Sequence, residues 1–81
     1  MQYRLFSEVV LVEDLPIYGL KRGAIAIIVE HYPMPEPEED GYSLEGFNVP
    51  EVTIEVSESQ IMSLQQWQKE METLEKSHQL I

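Results

Sequence analysis

The sequence predicts a mainly β fold, a small β-barrel of about five strands followed by a C-terminal amphipathic α-helix. Two observations carry that reading. β-Branched runs at Val9–Val12 and Ala24–Val29 flank a loop punctuated by Pro16, Gly19 and Gly23. Beyond Gln65 the chain has neither proline nor glycine, and its apolar residues recur at helical spacing.

Phe6 to Glu13 is rich in β-branched and aromatic residues, with polar positions at Ser7, Glu8 and Glu13, and reads as a first strand buried on much of both faces. Pro16 cannot donate to a ladder and Gly19 and Gly23 admit backbone conformations closed to branched residues, so Asp14 to Gly23 is a reversing loop. Ala24 to Tyr32 returns as a second strand. It carries Ile25, Ile27 and Val29 on one side and Ala24, Ala26 and Ile28 on the other, and the small alanines permit close approach of another layer or a barrel corner. Pro33 to Gly41 combines three prolines with four carboxylates and must be an exposed loop. Tyr42 to Phe47 and Val52 to Val56 alternate as half-buried strands, with a turn at Asn48-Val49-Pro50 between them. Ser57-Glu58-Ser59-Gln60 has the form of a capping box and starts a helical turn. Ile61 to Leu64 is read as a short closing strand after that turn, the alternative being the first turns of one long helix. Gln65 to Leu80 is the terminal helix. The organisation is a barrel over residues 1–64 and a helix over 65–81, which either completes the same domain or is a docking tail.

With 81 residues the chain makes one domain, which buries only about 60 to 65% of the surface its unfolded form exposes. Small cores of this kind often gain stability by oligomerisation. Fifteen acidic residues against five basic ones give a formal charge of −10, which repels nucleic-acid backbones and anionic membranes. The chain has no cysteine, so disulfides and thiolate chemistry are excluded. No apolar run reaches the length of a membrane span and Met1 to Glu8 lacks the form of a signal peptide, so a cytoplasmic location is expected.

Val9 to Leu11, the run Glu13-Asp14-Leu15-Pro16-Ile17-Tyr18-Gly19-Leu20-Lys21-Arg22-Gly23 and Ile27-Ile28-Val29-Glu30 resemble the opening of a bacterial family, domain of unknown function 4926. The resemblance continues through Tyr42 to Phe47 and Val52 to Leu64, and the tail after Gln65 lies outside it. At Ala24 and Ala26 the chain departs from the family's usual glycine and acidic pattern. The resemblance implies an SH3-like barrel and carries no chemistry, since small barrels host many functions.

Candidate sites are few. His31 and His78 lie far apart along the chain, and no serine sits in a nucleophile-elbow context, so no catalytic residue is assigned and the protein is read as not an enzyme. Glu36, Glu38 and Asp40 alternate on a turning loop, but Phe47 stands where a calcium loop needs its closing glutamate; no metal and no cofactor is expected. Lys21 and Arg22 either solvate their loop or anchor a carboxylate, and Tyr18, Tyr32 and Tyr42 either pack or rim a peptide groove. The most specific signal is in the tail. Leu64, Trp67, Met71, Leu74, His78 and Ile81 are spaced alternately by three and four residues, a heptad seam with charges and glutamines elsewhere. That stripe either covers the barrel's open end or pairs with another helix, with Trp67 as its anchor.

The expectation is therefore a non-enzymatic protein-interaction module that self-associates, as a homodimer, or docks a protein partner through its C-terminal helix. Its rivals are an acidic inhibitor or antitoxin-like protein neutralising a basic partner and a small subunit of a larger complex. Neither nucleic acid nor membrane is expected as a partner.

Overall fold

Branched residues lay down the strands, and Pro, Gly and polar clusters end them. The computed structural model describes residues 3–47 and 53–79, with side chains as far as residue 75. In chain order the elements are β1 (Glu8–Leu11), a 3₁₀ turn at Pro16–Tyr18, β2 (Ile25–Tyr32), β3 (Gly41–Glu45), β4 (Ile54–Ser57), a 3₁₀ turn at Glu58–Gln60, β5 (Ile61–Ser63) and α1 (Leu64–Gln79). The expected turn at Asn48-Val49-Pro50 and the start of the fourth strand at Val52 lie outside the described residues.

The strands form one antiparallel sheet in the order β4-β3-β2-β1-β5. In a flat sheet β4 and β5 would stand about 19 Å apart. They are joined by the single 3₁₀ turn Glu58–Gln60, which spans only about 8 Å. The sheet therefore curls until its two margins approach at that end. Ser57 and Gln60 hold the turn as the expected capping box, the Ser57 N–H donating to Gln60 Oε1 at 2.8 Å.

The expected closure into a barrel is not realised. The short strand at Ile61 forms as anticipated, but it pairs with β1 and shares no ladder with β4, so the five-stranded sheet stays open. Tyr3 bridges part of that gap. Its N–H donates to the Tyr42 hydroxyl on β3 at 3.1 Å, and its own hydroxyl donates to the Ile61 carbonyl on β5 at 3.4 Å. Burial pushes both phenols above their ordinary pKa.

The concave side holds the core: Val9, Leu11, Ala26, Ile28, Tyr42, Leu44, Ile54, Val56 and Ile61, capped by Leu15 from the first loop. Side chains alternate along β2 until Val29, where the register slips between Ile28 and Glu30. Ala26 and Ile28 point inward before the slip and His31 after it. Ile25, Ile27, Glu30 and Tyr32 all face outward as a result.

A second departure is at Phe6, expected inside the first strand. It occupies a turn instead, with φ of 65° and its ring exposed, and Ser7 closes the turn by donating from both N–H and Oγ to the Arg4 carbonyl.

Candidate interaction surface

Ser63 starts α1. Its Oγ accepts the Gln66 N–H at 3.1 Å, so Ser63 to Gln66 repeats the Ser-x-x-Gln form of residues 57–60. That second motif is the signal in the sequence that separates β5 from the helix. The first turns of α1 pack against β1 and β5 on the convex side of the sheet. Val10 is fully buried there, although its neighbours Val9 and Leu11 point into the core.

Trp67 fastens the helix to the body. The Arg22 guanidinium lies 4.7 Å from the indole centroid, and a Cβ on Gly23 would sit 3.8 Å from the ring. Arg22 is itself steadied by its N–H donating to Asp14 Oδ1 at 2.8 Å. The sequence proposes Trp67 as an interface anchor; the structure places it at the internal joint between helix and first loop.

The rest of the predicted stripe follows from there. Leu64, Trp67 and Met71 are half-buried, whereas Leu74 on the same stripe is 54% exposed. The side chain of His78 and the whole of Ile81 lie outside the described residues. A helix of 16 residues is about 24 Å long. The radius of gyration of 13.9 Å against about 12 Å expected for this length, and extents of 44 × 31 × 22 Å, agree with a helix running beyond the sheet. Shallow grooves flank Met71, one lined by Arg22, Lys69, Glu70 and Leu74, the other by Trp67, Glu72 and Glu75.

The remaining sequence candidates are dispersed. Asp40 is engaged locally, accepting the Met34 N–H at 3.0 Å and a hydrogen bond with His31 Nε2 at 2.8 Å. The backbone bond from Met34, then the one from His31, hold its carboxyl below the ordinary carboxylate value. Glu39 accepts both the N–H and the hydroxyl of Ser59, tying the acidic loop to the second 3₁₀ turn. Tyr42 is wholly buried, stacked on His31, while Tyr18 and Tyr32 are exposed, so the three tyrosines do not line one groove.

Residues 5–63 match the profile of a protein family, Domain of unknown function (DUF4926). The chain belongs to that family. The DUF4926 match takes in all five strands and stops where α1 begins, so the apolar stripe of α1 lies outside the matched segment. No curated protein and no solved structure matches the chain. Among the described residues no helix is long and apolar enough to cross a membrane.

Proposed function

We propose that this DUF4926 protein is a non-enzymatic interaction module that docks a partner protein through α1. One observation carries the reading: the stripe that begins half-buried at Leu64, Trp67 and Met71 continues onto exposed Leu74, past the part of the helix that packs on the sheet. An apolar edge of this kind gains free energy when a second helix covers it.

Charge selects the occupant. With Leu64, Trp67, Met71 and Leu74 on the seam, the positions beside it include Gln68, Glu70 and Glu75. A parallel pair of identical helices would set Glu70 against Glu75 of the other copy. The fitting partner is therefore a helix with an apolar stripe and lysine or arginine beside it, a chemistry shared with the acidic-inhibitor reading. A bacterial cytoplasmic setting is part of the same proposal.

The sole tryptophan reports on the seam. Titrating a synthetic helix with a leucine stripe flanked by lysines should change Trp67 fluorescence, and Leu74→Ala should weaken that response about tenfold. Light scattering should give the 9.4 kDa monomer without peptide. A dimer that Leu74→Glu dissociates would overturn the partner reading in favour of self-association.

A further inference from the structure

The convex face of the sheet has an apolar line with acidic banks. Because the register slips at Val29, Ile25, Ile27 and Tyr32 all face outward on β2, at 47%, 41% and 37% exposure, and Met34 just beyond is 44% exposed. Ladder register fixes what stands beside them. Ile27 is paired on one side with Glu8 of β1 and on the other with Glu45 of β3. Glu30 is paired with Ser43, which is paired in turn with Glu55 of β4. Directly opposed residues lie about 5 Å apart, so carboxylates stand on both sides of Ile27. Among the described residues none of these four glutamates is in an ion pair. Glu30 and Glu45 accept only hydroxyl bonds, from Tyr32 at 3.1 Å and from Thr53 at 2.9 Å. Tyr32 is held upright by a 2.8 Å bond with the buried Ser43 hydroxyl, and a groove of about 380 Å³ opens between Tyr32, Met34 and Glu55.

Exposed isoleucines in the first half of the central strand leave apolar area in water that the fold does not need, since Ala26 and Ile28 already fill the concave side. We propose that this face docks a basic amphipathic helix of a partner protein. Its apolar stripe lies along Ile25, Ile27 and Tyr32, and its lysines or arginines meet Glu8 on one bank and Glu45 and Glu55 on the other. A second copy of this chain is a poor occupant, because each copy would bring the same carboxylates to the contact. The surface is independent of the α1 seam, and its failure leaves the seam reading standing.

The test is a nitrogen-15 NMR titration of the full chain with the leucine-and-lysine helix. The amides of Glu8, Ile25, Ile27, Glu30 and Glu45 should shift. Ile27→Ser and the double variant Glu8→Gln, Glu45→Gln should each weaken binding at these amides about tenfold, with Leu74→Ala leaving it unchanged. The glutamine variant removes charge while keeping shape, so it reads the docking even if Ile27→Ser loosens the sheet. The proposal is overturned if shifts stay confined to α1, or if a serine-and-lysine peptide of equal charge binds equally well. It is also overturned if the protein is a dimer that Ile27→Ser dissociates.

Discussion

Asp40 illustrates how single residues hold the loops of this molecule. Its carboxylate collects the Met34 N–H and His31, and its pKa lies below the ordinary 3.8, so the charged form is favoured by folding. A depressed carboxyl stabilises the fold above its unfolded pKa, and that contribution disappears as pH falls through the folded value. The melting-temperature gap between wild type and Asp40→Asn is thus expected to be constant near neutrality and to close below the ordinary value of 3.8. A gap unchanged down to strongly acid pH would contradict this. Phe6 carries the opposite kind of local term. With φ of 65° and its ring in solvent it takes left-handed strain without packing in return. Phe6→Gly is expected to raise stability by about 0.5 to 1 kcal/mol in a denaturant titration, the net of relieved strain and added chain entropy.

At the scale of elements, the extra residue at Val29 decides which side chains of β2 meet the core. Deleting Val29 would remove the bulge and join Ile28 to Glu30 in regular alternation, so Glu30 would still face outward and His31 would keep its stacking on Tyr42. Inserting a residue between Glu30 and His31 would instead turn His31 outward and lose that stacking. A cooperative melt by near-ultraviolet circular dichroism is the expected result for the deletion, and its loss the expected result for the insertion. The positions of the elements themselves were readable in advance, because branched runs, Pro and Gly punctuation and the Ser-x-x-Gln motif act locally. The slip at Val29 was not. No glycine or proline marks it, and the choice of concave face was equally hidden. Bulk alone would send Ile25 and Ile27 inward, but the inner surface of a tightly curled sheet is narrow and takes Ala26. The Ile25 and Ile27 surface was therefore missed, whereas the α1 stripe was visible from its spacing as far as Leu74.

For the whole molecule, α1 has two parts in different surroundings, half-buried along its stripe as far as Met71 and exposed at Leu74. Ending the chain after Ser63 uncovers Val10 and Met62 on the convex face and removes the Trp67 joint, at an expected cost of about 2 to 4 kcal/mol. Ending it after Met71 leaves that joint in place and is expected to shift the thermal midpoint little; a large shift would show that the distal turns also pack on the body. A formal charge of −10 makes self-repulsion a global term, so moderate salt is expected to raise the melting temperature. A barrel was anticipated because five strands in a small domain have few ways to hide their margins; pairing of β5 with β1 alone rests on long-range register, which local pattern does not encode. That open arrangement has its own consequence for solubility. The bordering strands offer four and three residues, so a foreign chain laid alongside either gains only a few hydrogen bonds. Templated fibril growth needs a longer straight border than this protein offers, and its brevity protects the protein as hydrogen-bonded closure protects a complete cylinder.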